Sequence, residues 1–172
     1  MKQATLYLML GYPGAGKTTV AKVLSELTGA EHVWADKERR ERIGQPTYSH
    51  QENTELYERL NKEVEQLIAK NKDVIFDTNF SFFKDRLKLT NIAKKYGAKT
   101  IVVWVKTDKS LAKERSIKDA HQQPTRLLGD MTIQDFERIS EGIEEPRPNE
   151  VVITIDGTKV TPEYIKSCFD LG

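Results

Sequence analysis

Apolar residues arrive along this chain in short unbroken runs, separated by stretches in which they recur at helical spacing. Leu6-Tyr7-Leu8-Met9-Leu10, Val74-Ile75-Phe76, Thr100-Ile101-Val102-Val103-Trp104-Val105 and Val151-Val152-Ile153-Thr154-Ile155 have the length and β-branched character of buried strands. His32-Val33-Trp34-Ala35 is a shorter candidate that ends at Asp36. Between these runs, Val20, Val23, Leu24 and Leu27 predict a helix over 18–27, stopped at Thr28-Gly29. Leu56, Leu60, Val64, Leu67 and Ile68 predict a long helix ending near Lys70, with Asn53 or Thr54 as its cap and 44–53 as a polar loop. Further helices are expected over 82–96 and 110–120, and from a Thr132 cap to Glu141 with Asp135 at the third helical position. Asp156-Gly157 turns the chain, and Thr161-Pro162 opens a last helix with proline at its first position. Strands that alternate with helices predict an α/β fold, a mostly parallel five-stranded sheet flanked by helices. Such sheets bind ligands at the carboxyl ends of their strands.

What stands at those ends sharpens the picture. The first strand runs directly into Gly11-Tyr12-Pro13-Gly14-Ala15-Gly16-Lys17-Thr18, which is G-x-x-x-x-G-K-[ST], the P-loop. Glycines let successive N–H groups curl inward into an anion-binding nest, and the following helix adds its free N–H groups and positive dipole end. Gly11, Pro13, Gly14, Ala15, Gly16, Lys17, Thr18 and Thr19 are therefore the expected nucleotide-binding residues. Lys17 is expected on the β- and γ-phosphates, Thr18 on Mg²⁺, and Thr19 as an additional phosphate contact. A chance glycine-rich turn would lack the apolar strand before it and the amphipathic helix after it.

Asp36, after the second strand, has Arg39 three residues on, so both face one side of a helix start. A carboxylate there suits a general base for an attacking hydroxyl, and Arg39 suits an anionic group on the acceptor. The pair also reads as an N-cap aspartate with a solvated arginine. Asp77-Thr78-Asn79 ends the third strand. Asp77 is placed as a Walker B carboxylate serving Mg²⁺, and Asn79 as a hydrogen-bond partner of the acceptor; turn chemistry is the competing account. The basic stretch 106–126 reads either as a solvated helix face or as a mobile lid, about 115–131, that brings Arg115 and Arg126 to a transferring phosphate. Residues 156–160 are where a nucleotide base is expected to be read.

Composition narrows the partners. The 172 residues suit a single domain, and a net charge of +1 gives no bulk attraction to nucleic acid or membrane. The lone Cys168 cannot pair internally and is expected to pack in the last helix. No run is long enough to span a bilayer and no leader pattern opens the chain, so a cytoplasmic location is expected.

With these residues in order, the chain resembles the small P-loop kinases related to the 5′-kinase domain of phage polynucleotide kinase, with zeta-toxin-like proteins as more distant relatives. The resemblance rests on Gly11-x-Pro13-Gly14-x-Gly16-Lys17-Thr18, Asp36-x-x-Arg39, Asp77-Thr78-Asn79, Arg115 and Pro146-x-x-x-Glu150, and spans nearly the whole chain. It implies that Asp36 is the general base, that Arg39 contacts an acceptor phosphate, and that Arg115 is a lid arginine. One turn after Arg115 the polynucleotide kinases carry a second arginine; this chain has Lys118-Asp119, with Arg126 the candidate replacement.

The expected activity is Mg²⁺-dependent transfer of the ATP γ-phosphoryl group to an acceptor hydroxyl, with Lys17, Asp36, Arg115 and Arg126 as the catalytic set. Near-neutral charge favours a small-molecule acceptor over a polynucleotide 5′-hydroxyl. Tyr48, Phe80, Phe82 and Phe83 suit base stacking, and core packing accounts for the phenylalanines equally. An ATP-hydrolysing regulatory switch is the reading from a different class.

Overall fold

The computed structural model describes residues 2–118 and 131–172. Five strands form one all-parallel sheet in the order β2-β3-β1-β4-β5. They are β1 (Thr5–Leu10), β2 (Glu31–Trp34), β3 (Val74–Asp77), β4 (Lys99–Lys106) and β5 (Val152–Asp156). The helices are α1 (Lys17–Thr28), α2 (Ala35–Ile43), α3 (His50–Ala69), α4 (Phe83–Lys95), α5 (Lys109–Lys118), α6 (Ile133–Glu141) and α7 (Pro162–Cys168). None of them is long and apolar enough to cross a membrane.

The continuous apolar runs are explained by burial on both faces of the sheet. Side chains alternate along β1, so Leu6 and Leu8 enter one core while Tyr7 and Met9 enter the other. The first core packs Phe76 against Leu56, Leu60 and Val64 of α3 and Leu89 of α4. The second packs Ile75, Val103 and Ile155 against Val20 and Leu24 of α1 and Ile165 of α7. Cys168 is a free thiol, partly buried against this second core, as expected for a packing residue.

Strand order reverses at β1. The chain leaves β1 for β2, returns to β3 beside β1, and only then crosses to β4 on the other flank. The gap beyond the carboxyl end of β1 is the topological switch point where open parallel sheets bind ligands. Register brings Trp34 level with Asp77, Leu10 with Trp104, and Lys106 with Asp156, so the strands release their loops at one edge.

One boundary differs from expectation. The α3 helix starts at His50 rather than after Asn53, because Ser49 is its cap. Ser49 Oγ accepts the Glu52 N–H at 3.2 Å, while the Glu52 carboxylate turns back to the Thr47 and Tyr48 N–H groups at 2.8 and 3.3 Å. This S-x-x-E cap, whose glutamate reaches the two residues before Ser49 rather than the Ser49 N–H, lies within the polar stretch that reads as loop in the sequence. The Thr132 cap of α6 is as expected, with Thr132 Oγ1 accepting the Asp135 N–H at 3.1 Å.

A buried ion pair joins two loops at the site edge. Arg86 of α4 is fully buried, and its Nε and Nη2 donate to the two Glu150 carboxylate oxygens at 2.7 and 3.1 Å. Its Nη1 donates to the carbonyls of Phe80 and Ser81 at 2.8 and 3.3 Å. Segment 144–150 is thereby tied to the turn after β3. Glu144 accepts the Phe83 N–H at 3.2 Å, which puts a carboxylate on an α4 N-terminus that has no side-chain cap of its own. The Phe83 ring is covered by Arg147, 3.6 Å from its centroid.

Burial pushes the Glu150 carboxyl up, but the Arg86 hydrogen bonds, the Arg147 N–H and both guanidinium charges outweigh it, and its pKa lies below the ordinary 4.5. A depressed folded-state pKa stabilises the fold fully above the unfolded value, and that contribution is lost as pH falls below about 4.5 through the folded value. Replacing Glu150 with alanine strands a buried guanidinium and should cost on the order of 3–5 kcal/mol at pH 7 in urea unfolding. Glu150→Gln should also flatten the acid limb of the stability curve between pH 5 and the folded pKa; an unchanged limb would assign the acid sensitivity to other carboxylates.

Candidate active site

The loop from Gly11 to Gly16 turns over the carboxyl end of β1. Its Ala15 N–H donates to the Tyr12 carbonyl at 3.0 Å, and the Ala15 carbonyl accepts the Thr107 hydroxyl at 2.8 Å. Gly14 takes a φ of 79° and lies on the backbone of α5. A Cβ there would strike the Ala112 carbonyl oxygen and come within 3.1 Å of the Ser116 nitrogen. Gly157, after β5, abuts the loop from the other side, where a Cβ would strike the Ala15 carbonyl and the Thr107 hydroxyl. Lys17 Nζ donates to the Gly11 and Tyr12 carbonyls at 2.9 and 2.8 Å.

Beside this loop lies a cavity of about 960 Å³. Pro13, Gly14, Gly16, Lys17, Thr18 and Thr19 form one part of its wall, and Asp36, Arg39, Asp77 and Asn79 another. Arg115 and Gly157-Thr158 also reach it. Ten of the residues picked out in the sequence thus share one space besides Arg115. Gly11 and the fully buried Ala15 do not reach the wall and instead support the loop from beneath. Arg126 lies outside the described residues, as does most of the expected lid.

Each wall residue is held by a distinct device. Asp77 is buried at the end of β3, and its Oδ2 is 2.9 Å from His32 Nε2 on the neighbouring strand. The His32 ring in turn stacks on Trp34, centroids 5.7 Å apart. Thr78 Oγ1 and the Tyr57 hydroxyl from α3 share a 2.8 Å hydrogen bond. Asn79 Oδ1 is buried with no partner among protein atoms. Asp36 is exposed in the first turn of α2, where no side chain caps the helix, so it is not the N-cap.

Arg39 is only 4% exposed. Its Nη1 donates to Glu52 Oε1 at 2.9 Å, its guanidinium lies 4.5 Å from the Tyr48 ring centroid, and its buried Nε has no partner. Partial desolvation first, and then the Asp36 carboxylate, push the Tyr48 phenol above its ordinary value. Thr47 first, with Arg39 and the Tyr48 N–H, holds Glu52 below the ordinary carboxylate range.

Arg115 is placed by α5, which is clamped to α6. Glu137 accepts from Lys113 at 2.8 Å and pairs with Lys109 at 2.9 Å; these hydrogen bonds, Lys113's first, lower its pKa to about 2. Phe136 of α6 is fully buried against Tyr12 of the loop, ring centroids 6.3 Å apart. Arg115 itself forms no hydrogen bond or ion pair with another described residue, and it faces the cavity. Arg138 of α6 reaches the same space while paired with Asp135 at 3.3 Å.

The candidate stacking aromatics separate cleanly. Phe80 packs edge-on against Phe76 in the core, centroids 5.0 Å apart, and Phe83 is occupied by Arg147. Tyr48 and Phe82 are 49% and 45% exposed and line the cavity. His32, Tyr57 and Glu52 are site residues that sequence reading missed. Only Glu52 had a local signal, its place three residues after Ser49. Among the described residues no group of three His, Cys, Asp or Glu side chains converges on a metal position. A cation here would take oxygens from a bound phosphate as well as from the protein.

A model of the AAA domain family AAA_33 matches residues 6–139. No curated protein matches the chain. Among solved structures, it is similar to a candidate kinase from Chloroflexus aurantiacus J-10-fl, 17% identical with a TM-score of 0.78 over 98% of each chain. It is similar to the Mycobacterium tuberculosis APS kinase CysC, solved with AMPPNP and APS, at 17% identity and a TM-score of 0.66 over 99% of this chain and 98% of that one. It is also similar to a chain of the Pnkp1/Rnl/Hen1 RNA repair complex, at 18% identity and a TM-score of 0.70 over 83% of this chain and 44% of that one. At these identities the likeness is one of fold. The chain belongs to the AAA_33 family of AAA domains, with the kinase-like P-loop fold that the resemblance to small P-loop kinases implied.

Proposed function

We propose that this protein is a kinase that transfers the γ-phosphoryl group of ATP to a hydroxyl of a small molecule. The observation that carries the reading is the shared cavity: Lys17 and the P-loop lie on one wall and Asp36, Arg39 and Asn79 on another. A volume of about 960 Å³ is at the upper end for one ligand and accommodates a donor and a small acceptor together.

The residues fit a nucleotide. Left-handed Gly14 and Gly16 open the loop toward an anion, and Lys17 Nζ, now on loop carbonyls, sits at the helix start where phosphates bind. Gly157, Thr158 and Val160 give the nucleoside end a wall. Thr18 and Asp77 would hold Mg²⁺, which supplies neutralisation of phosphate charge when bound. The acceptor oxygen attacks the γ-phosphorus, its proton passes to the Asp36 carboxylate, and the bond to the β,γ-bridging oxygen breaks to leave ADP. Arg115 takes the charge that develops on the transferring group, and Arg126 is retained as its companion from the lid. Asn79, on the cavity wall, is assigned to the acceptor as a hydrogen-bond partner. Asp36 beside the phosphate site favours this reading over an acceptor-free ATPase switch.

A polynucleotide 5′-hydroxyl is the second reading, supported by the exposed rings of Tyr48 and Phe82 on the cavity wall. The chain's similarity to part of an RNA repair complex is consistent with it.

Label transfer from γ-labelled ATP separates these readings when run against sugars, polyols and nucleosides on one side and 5′-hydroxyl RNA and DNA on the other. Asp36→Asn should lower transfer by about 10²–10⁴-fold with nucleotide affinity nearly unchanged, whereas Lys17→Ala should lose both. Full activity in Asp36→Asn would remove the base assignment, and unaltered nucleotide affinity in Lys17→Ala would count against the P-loop role. His32 acts through Asp77 as a positioning residue. His32→Leu should raise the Mg²⁺ concentration for half-maximal transfer by about 10-fold or more without altering the rate at saturating Mg²⁺; an unchanged Mg²⁺ requirement would leave His32 a packing residue.

A further inference from the structure

Arg39 is the cation best placed on the acceptor side, yet its charge is already answered. Glu52 takes its Nη1 at 2.9 Å, and Glu52 is not free to leave. Its carboxylate also accepts the Thr47 N–H and hydroxyl, both at 2.8 Å, and the Tyr48 N–H at 3.3 Å. Its own backbone is capped by Ser49. One face of the guanidinium is covered by Tyr48, whose backbone is held at a φ of 56°, a left-handed value uncommon for a residue with a side chain. What remains for a ligand is directional rather than ionic. Among the described residues the buried Arg39 Nε has no partner, nor has the buried oxygen of Asn79, which lines the same cavity. The exposed half of the Tyr48 ring adds a flat apolar surface.

We propose that Glu52 is a specificity-determining residue of the acceptor site. By cancelling the Arg39 charge, it selects an acceptor whose group beside Arg39 is an uncharged hydroxyl or carbonyl oxygen on a sugar, polyol or nucleoside, over one bearing phosphate or carboxylate. A second anion placed there would face the fixed Glu52 carboxylate as well as Asp36, and like charges across a partly desolvated site are disfavoured. A neutral oxygen meets no such opposition. Arg138, at 73% side-chain exposure and paired with Asp135, remains as a solvated cation of the same cavity and sets a common background for anions. The inference rests on the kinase reading, because it takes this half of the cavity as the acceptor site.

The test is binding of inorganic phosphate, followed by ³¹P NMR, to protein loaded with AMPPNP and Mg²⁺ so that the P-loop is filled. Arg39→Ala, which leaves the Glu52 carboxylate uncancelled, should bind phosphate no more tightly than wild type. Glu52→Gln should bind it at least about tenfold more tightly, and Glu52→Gln with Arg39→Ala should return to the wild-type value. Glu52→Gln with no gain would overturn the proposal, as would a gain that survives Arg39→Ala in the double variant. Should Glu52→Gln fail a thermal-melt check, wild type decides alone: label transfer to neutral sugars, polyols and nucleosides should exceed transfer to their phosphates by at least about tenfold, and the reverse preference would overturn the proposal. Failure of AMPPNP to load would instead overturn the kinase reading, and the Glu52→Gln comparison would still report on the charge at this position.

Discussion

The P-loop is held by backbone pressed on backbone, and the donor half of the cavity depends on that contact. Gly14 lies against the carbonyl of Ala112 in α5, and Gly157 against the carbonyl of Ala15. No side chain other than hydrogen fits either gap. The Thr107 hydroxyl ties the same Ala15 carbonyl to the end of β4. The loop that would cradle phosphate, the helix that carries Arg115 and the turn that would border the nucleoside are therefore fixed relative to one another within atomic contact. Without those hydrogens in place of Cβ atoms, α5 would stand farther from the loop and Arg115 farther from the cavity.

The half of the cavity proposed for the acceptor is held by a different kind of force. Its wall takes Asp36 and Arg39 from α2, Asp77 from the end of β3 and Asn79 from the turn after it, and hydrogen-bonded side chains tie these pieces together. Arg86 joins the turn after β3 to the segment ending in Glu150, Glu52 joins Arg39 to the start of α3, and His32 braces Asp77. Buried ionic groups specify geometry because a misplaced partner leaves an uncompensated charge. Backbone contact thus sets distance in one half of the cavity, and paired side chains set orientation in the other.

This division accounts for what was legible in the sequence. The strands, the P-loop and the placement of Asp36 and Asp77 are local patterns, and the sheet gathers them at its carboxyl edge. Arg86 was invisible because an arginine in a polar helix looks solvated until the partner 64 residues away is known. His32 sits on a strand whose neighbour, β3, is remote in sequence, so its link to Asp77 needs the register. Ser49 and Glu52 did carry a local signature, but the polar stretch around them outweighed it. The phenylalanines near β3 could not be sorted by spacing at all; Phe80, Phe82 and Phe83 are close in sequence and lie respectively in the core, on the cavity and under Arg147.

Pre-arrangement differs between the halves in a way that bears on the chemistry. Electrostatic catalysis is most effective when dipoles and charges need not move as the reaction proceeds. Arg39, Asp77 and their partners already meet that condition. Lys17 does not, since its ammonium is engaged with the Gly11 and Tyr12 carbonyls and must turn outward to meet a phosphate. Until a phosphate arrives, those carbonyls keep the lysine solvated by protein and limit the positive charge that the cavity shows to other anions. Under the proposed assignment, an acceptor site with its own cation neutralised would complement this arrangement. The strongest anion affinity would then lie on the P-loop side, and a polyphosphate would have little reason to settle where an acceptor hydroxyl would stand.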